Sequence, residues 1–483
     1  MNEERIFSMN DFSSMNLSHE TEKALKSMGF ETPTPIQSMT ILPLIEGKDV
    51  IGQAQTGTGK TLAYSIPAVE KVVGNNKNPQ VLILCPTREL AIQVSKVINN
   101  LLKYKKEANS VVIYGGQRID FQIRAIKRGA QIVVGTPGRI MDHMRRKTLN
   151  FKDVKMLVLD EADEMLNMGF IEDIKAILEK LPFQKQSALF SATMPKTILN
   201  LSEKFQKNRQ FLKVPNQKLT VENTKQLYFK IRESDKTTLL SRLLVMRNPH
   251  SAMVFCNTKK KVDELVSALK SIGFQADAIH GDIKQMSRDR VMNDFRNKHT
   301  KILVATDVAA RGIDVENVEM VINYDLPQYH EYYVHRIGRT GRMGKKGYAY
   351  TFVTEREFGK LQMIKRYAKI EIEKAKIPSL KDVQRTRAKS LSKDIMKIID
   401  EGDLEKYEAM VEIMTEENYS TLQIAAALLK MVAKTSELDN PILKRKIDQD
   451  FKKEKRVRSF NFGKSNSKGR KYSSRTFKRR TRA

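Results

Sequence analysis

Ala54-Gln55-Thr56-Gly57-Thr58-Gly59-Lys60-Thr61 follows the apolar run DVIGQ (49–53) and precedes a helical pattern. Backbone N–H groups in such a loop curl around phosphate oxygens, helped by the positive start of the next helix. Lys60 is then placed to reach the β/γ-phosphates, and the Thr61 hydroxyl to ligate Mg²⁺. Ala54 stands where the P-loop pattern has its first glycine; a small side chain still lets the backbone approach. A second chemical group closes the run Val158-Leu159-Asp160-Glu161-Ala162-Asp163, where three acids fall within four residues. Like charges this close call for a cation nearby. Asp160 suits Mg²⁺ held through its water shell, and Glu161 suits orienting and deprotonating an attacking water. Phosphoryl transfer also needs positive charge on the transferred group. The segment His335-Arg336-Ile337-Gly338-Arg339-Thr340-Gly341-Arg342 offers three arginines spaced by glycines, far down the chain from Lys60. The site is therefore expected to form only when two domains close.

The elements that must carry these groups are legible as rhythm. Short apolar runs alternate with helical patterns: DVIGQ, VLILC (81–85), SVVIY (110–114), QIVVG (131–135), KMLVLD (155–160) and SALFS (187–191). A second series follows: SAMVFC (251–256), FQADAIH (274–280), KILVAT (301–306), VEMVINYD (318–325) and GYAYTFV (347–353). Such runs predict parallel sheets covered on both faces, with ligand loops at the carboxyl ends of the strands. VLILCPT resembles AMVFCNT, and KMLVLDEAD resembles KILVATDVA, so two related α/β domains in tandem are expected, joined near residues 212–222. Strand signals stop after about residue 356. Residues 380–437 read as helical, broken at Gly402-Asp403 and again at 418–421, and make either a plain core or a self-association surface.

Charge points to the partner. Lys and Arg number 86 against 56 Asp and Glu, a net charge of +30, which favours a polyanion such as nucleic acid. Residues 441–483 hold 17 of those bases against three acids. With Phe451, Phe460, Phe462, Tyr472 and Phe477 among them, this tail reads as a disordered RNA-binding segment. Cys85 and Cys256 are the only cysteines, so a disulfide scaffold or Cys-based zinc site is excluded. No signal-peptide pattern and no run of 18 apolar residues is visible, so a cytoplasmic protein without membrane contact is expected.

Further segments bring a family into view. The tetrad Asp160 to Asp163, the AxTGxGKT loop, Ser191-Ala192-Thr193 and HRIGRTGR together resemble the DEAD-box RNA helicases. Phe12, then Gly29 to Gln37, resembles that family's adenine-reading Gln motif. Pro86-Thr87-Arg88-Glu89-Leu90, Gly115-Gly116, Thr136-Pro137-Gly138-Arg139, Val254 to Thr258, Gln285 to Arg288, Ala305-Thr306-Asp307 and Arg311 to Asp314 also match, so the resemblance spans about residues 7–360. It implies two RecA-like domains and RNA-stimulated hydrolysis of ATP. Gln37 would read the adenine edge through two hydrogen bonds, Phe12 or Phe30 would pack on the ring, and Asp314 would contact the ribose. Arg339 and Arg342 would serve as arginine fingers. Arg88, Gly116, Thr136, Arg139, Arg288 and Thr306 would touch the RNA backbone. Asp163, Ser191, Thr193 and His335 would couple hydrolysis to RNA-dependent closure.

The expected organisation is an N-terminal Gln-motif segment (1–39), a first RecA-like domain (40–211), a linker (212–222), a second RecA-like domain (223–375), a helical dimerisation module (376–440) and the basic tail (441–483). The module and tail resemble those of bacterial cold-shock-type members, which implies a stress response, a homodimer through residues 380–440, and work with ribosome-assembly or RNA-decay machinery. Three other readings stay open at this point: an ATP-dependent clamp without turnover, a DNA translocase of the same superfamily, and a scaffold for other proteins.

Overall fold

The computed structural model describes residues 11–55, 57–74, 76–214, 224–310, 318–341, 345–416 and 419–434, with Ile442, Arg445 and Ile447. Thr56, Arg311 to Asp314, Arg342, most of the expected linker and nearly all of the basic tail lie outside the described residues. Residues Met1–Lys444 form one unit and Arg445–Ala483 a second.

Every apolar run named above contains a strand. The first sheet comprises β1 (Asp49–Gln53), β2 (Val81–Leu84), β3 (Ser110–Ile113), β4 (Ile132–Gly135), β5 (Met156–Asp160), β6 (Gln186–Ser191) and β7 (Arg209–Lys213). The second comprises β8 (Thr224–Lys230), β9 (Ala252–Phe255), β10 (Ala276–Ile279), β11 (Ile302–Ala305), β12 (Met320–Asn323), β13 (Gly347–Val353) and β14 (Glu373–Lys374). The strand orders are β3-β4-β2-β5-β6-β1-β7 and β10-β11-β9-β12-β13-β8-β14. Numbered from the start of each sheet, these are the same order, and all pairings are parallel. The chain is thus two tandem RecA-like domains.

This order upholds one internal resemblance and corrects the other. VLILCPT and AMVFCNT lie on β2 and β9, which hold equivalent places. Cys85 and Cys256, both buried, follow those strands, and Thr87 and Thr258 each cap the next helix through the side-chain oxygen. KMLVLDEAD lies on β5 and KILVATDVA on β11, which are not equivalent. Buried central strands share composition whatever their place in the sheet.

Three strands escaped the periodicity. The edge strand β7 is half-exposed and runs two residues into the expected linker. In β8, Thr-Lys-Gln-Leu-Tyr-Phe-Lys mixes polar with apolar residues. The two residues of β14 are exposed and extend the sheet beyond residue 356, where strand signals were expected to end.

Both faces of the first sheet are covered. Val50, Ile83 and Val158 face one cluster with Leu62, Ala91 and Ile98, while Ile51, Leu82 and Leu159 face the other with Ile140, Met165 and Ile177. The N-terminal segment belongs to the first cluster rather than standing apart, because Phe12, Met15, Leu25 and Ile36 are buried in it. After β14 come helices Leu380–Glu401, Glu405–Glu416 and Thr421–Lys434. Ser379 starts the first of them in a capping box with Asp382, and Gly402 ends it,. Ile398, Ile399, Met410, Ile413, Leu422 and Met431 on these helices are exposed. Among the described residues, no helix is long and apolar enough to cross a membrane.

Candidate nucleotide and nucleic-acid site

The sheet order brings the phosphate loop and the acidic run together. β6 lies between β1 and β5, with Ser191 opposite Gln53 and Phe190 opposite Asp160. The loop after β1, the acids after β5 and Ser191-Ala192-Thr193 after β6 therefore converge at one sheet edge.

Gly57 and Gly59 have φ of +80° and +90°, a left-handed backbone that glycine adopts without steric cost. Gly59 caps the helix Lys60–Glu70. Lys60 is 6% exposed, and its Nζ is buried without a hydrogen-bond partner. A buried ammonium in that condition is costly unless an anion reaches it. Thr58 Oγ donates to Gln55 O at 2.7 Å and closes the loop. Gln37 departs from expectation: Oε1 accepts from Thr34 N at 2.8 Å and Nε2 donates to Gly59 O at 3.1 Å. Its amide is thus engaged by its own helix start and by the phosphate loop, and contact with an adenine requires an exchange of partners. Of the two candidate ring-packing residues, Phe12 is buried in the core and Phe30 is exposed.

Asp160 is buried. Its Oδ2 accepts from Tyr64 OH at 2.6 Å and its Oδ1 from Glu161 N at 2.9 Å. Burial raises its pKa, against the pull of Lys60. Glu161 occupies a left-handed conformation at φ +49°, unusual for a residue with a side chain. Withdrawal from water, then the negative Asp160, push its carboxyl up to about 7. Asp163 Oδ2 accepts from Thr193 N and Oγ1, each at 2.9 Å, and Asp163 N donates to Ser191 Oγ at 3.2 Å. The three expected positions Asp163, Ser191 and Thr193 thus form one bonded set, beside Asp160 with its own bonds to Tyr64 and Glu161. Tyr64 reaches Asp160 from one helical turn after Lys60, a contact no local motif announces.

The second domain contributes through the helix His330–Ile337 and the turn after it. Arg339 lies near enough for its positive charge to pull the Glu161 pKa down. His335, expected to couple the domains, is half-buried. Arg336, 1% exposed, is a structural centre. Its Nε and Nη2 bond Asp307 at 2.5 and 2.7 Å, Nη1 bonds Asn323 Oδ1 and Asp325 O at 3.2 and 2.6 Å, and Nη2 also bonds Asn257 Oδ1 at 3.1 Å. These partners follow or end β9, β11 and β12, so one guanidinium ties the arginine segment to three strands.

Two expected RNA contacts are otherwise engaged. Arg88 Nη1 donates to Gln285 Oε1 at 3.1 Å, and Arg288 Nη2 pairs with Glu89 Oε1 at 2.6 Å. Both link the first domain to the second, so neither side chain is aimed outward alone. Gly116, at φ +90°, packs against the Arg88 guanidinium so closely that a Cβ there would collide with it. Thr136 starts the helix Pro137–Arg145, and Arg139 Nη2 donates to Gln117 O at 3.0 Å. Thr306, at the end of β11, donates its N–H to Ile279 O at 3.2 Å and is half-exposed.

A tandem RecA-like fold with a phosphate loop, an adjoining acidic run and an arginine segment from the second domain defines a nucleotide-hydrolysing motor class. The sequence matches the DEAD/DEAH box helicase family over residues 34–201 and the helicase conserved C-terminal domain over 235–344. The chain belongs to the DEAD-box ATP-dependent RNA helicases and is an ATP-hydrolysing RNA helicase of the bacterial type. It is 46% identical over 88% of its length to the DEAD-box ATP-dependent RNA helicase CshA of Geobacillus kaustophilus, covering 91% of that protein. It is also 46% identical to the Listeria monocytogenes ATP-dependent RNA helicase CshA, over 88% of this chain and 82% of that one. Among solved structures, it resembles S. cerevisiae Dbp5 bound to RNA and ADP BeF3, at 35% identity and a TM-score of 0.69, covering 78% of this chain and 100% of that one. Residues 378–442 match the RNA helicase DeaD dimerization domain.

Proposed function

We propose that the chain locally unwinds short RNA duplexes and remodels RNA–protein complexes by closing its two domains on ATP and single-stranded RNA. The observation that carries this reading is the buried, unpartnered Lys60 ammonium beside Asp160 and Glu161, with Arg339 approaching from the other domain. The loop Ala54 to Thr61 would hold the phosphates and Gln37 the base. Thr61, through its hydroxyl, and Asp160, through water, would hold Mg²⁺, which would supply positive charge to the phosphates. The Asp160 carboxylate and the Thr61 hydroxyl are hard oxygen donors near the buried Lys60, which suits Mg²⁺ held mainly by substrate and water,. Glu161 would take the proton of the attacking water, and Arg339 and Arg342 would meet the charge that develops on the phosphoryl group. RNA held by its backbone leaves the base sequence largely unread. Each stacked step of DNA is worth about 1.4 kcal/mol, so one closure can separate a few pairs, and long processive unwinding is not implied.

The test compares RNA-stimulated ATP hydrolysis with strand separation on duplexes of increasing length. Separation that falls steeply with length supports local opening; separation indifferent to length removes it. Residues 380–440 are proposed to join two copies, on the exposed apolar side chains of the three helices, and a native mass unaffected by their deletion ends that idea. The proposed setting is cytoplasmic ribosome assembly or RNA decay, including under stress. Sequencing of RNA crosslinked to the protein in cells decides between these.

A further inference from the structure

The helix Ile119–Lys127 begins three residues after Gly116 and carries a side-chain cluster that the roles above leave unused. Phe121 is 50% exposed. The guanidinium carbons of Arg118 and Arg124 lie 5.6 and 4.8 Å from its ring centre. Lys127 and Arg128 are exposed a turn further on, and Asp120 is the single acid between residues 118 and 128. The patch is thus basic, with one aromatic ring in the middle.

It is also fixed to the expected RNA track. Gln117, one residue before Arg118, accepts Arg139 Nη2 on its carbonyl, and Gly116 lies against Arg88. Gln122 anchors the inner side of the helix: Nε2 donates to Tyr114 O at 2.9 Å, and Oε1 faces Nε2 of the buried His143 at 3.1 Å. The ring therefore stands at a set distance from Gly116 and Arg139.

We propose that Arg118, Phe121 and Arg124 form a stacking station for a nucleobase of an RNA strand that continues past Gly116 and Arg139, outside the cleft between the domains. The inference rests on the RNA-binding reading of Gly116, Arg88 and Arg139. Every base has a π-face, so an aromatic ring beside guanidinium planes grips without reading sequence. Arg118, with its side chain 77% exposed, is the layer a base would displace, and Arg124, Lys127 and Arg128 would meet the adjoining phosphates. The positive charge and the position beside the RNA loops favour RNA over a protein partner. The station would add grip only for strands long enough to reach it.

The chain contains no tryptophan, so Phe121→Trp in the full-length protein places a single tryptophan at the station, excited selectively at a wavelength that the 14 tyrosines do not absorb. A single strand of about six nucleotides is compared with one of about sixteen, near the two ends of the range of site sizes known for other single-strand-binding folds. The expected result is quenching by the long strand and none by the short. Phe121→Ala should weaken binding of the long strand about tenfold, the scale of one base stack, with Phe121→Tyr restoring it. Unchanged emission with the long strand overturns the proposal and leaves the patch to a protein partner. Equal quenching, or equal loss of affinity, on both lengths also overturns it, because the ring would then belong to the cleft. Failure of the parent protein to bind either strand would instead sink the RNA-track reading of Gly116, Arg88 and Arg139.

Discussion

Glu89 and Arg288 form an ion pair across the two domains, at 2.6 Å, with side chains only 16% and 11% exposed. Losing one partner of a charged contact this far from water costs about 1.5–3 kcal/mol. Glu89→Gln should therefore raise the RNA concentration for half-maximal ATP hydrolysis roughly tenfold or more. The exchange Glu89→Arg with Arg288→Glu should recover part of that loss, as a coupled pair requires. A half-maximal concentration that stays the same or falls would mean that the pair competes with RNA instead of supporting closure.

Replacing Glu161 by Gln keeps the shape and removes the proposed base. Steady-state ATP turnover should drop by about 10²–10⁴-fold, while binding of ATP analogue and RNA persists in a fluorescence titration. Retained turnover would assign the proton to another group.

His143 makes the first domain sensitive to acid. It is fully buried, with Nδ1 2.8 Å from Thr148 Oγ1 and Nε2 facing Gln122 Oε1. Burial first, then the positive Arg139 against the opposing Asp142, lower its pKa below the usual 6.5. The unfolded chain thus binds this proton more readily than the folded one. Stability from the site is complete above about pH 6.5 and is lost as pH falls through the lower folded value. His143→Gln should flatten that slope in melts across pH 5–7, and an unchanged slope would point to other groups.

Arg336→Lys keeps the charge but cannot supply the two-pronged bond to Asp307 or the contacts to Asn257, Asn323 and Asp325. A loss of about 2–3 kcal/mol is expected, read as a fall in Tm of roughly 5–10 °C. ATP turnover should fall with it, because Arg339 begins three residues later. A variant that melts normally would mean the five bonds contribute little.

The sequence made the phosphate loop and the acidic run readable because their chemistry lies in contiguous residues. Lys60, Asp160 and Glu161 lie together because parallel strands deliver their following loops to one edge of the sheet,. What stayed hidden depends on distant partners. Nothing near Arg336 in the chain says that it faces Asp307, Asn257 and Asn323, and nothing near Glu89 says that Arg288 closes on it. Strand β8 is hidden for a different reason: it is mostly buried between β13 and β14, but its mixed polar and apolar composition shows no strand period. The family resemblance makes Gln37 a base-binding amide, and its bond to Gly59 exists only once the helix start and the phosphate loop are packed together.

That bond ties the proposed base reader to the proposed phosphate loop. Gly59 accepts from Gln37 Nε2, and any Cβ at position 59 would strike that same amide. A substitution at position 37 would also loosen the loop proposed to grip phosphate, and one at 59 would dislodge the amide proposed to read the base. Nucleotide choice and phosphate affinity should therefore evolve as one unit in this chain, so that a broadened fuel range comes with a weaker hold on every fuel.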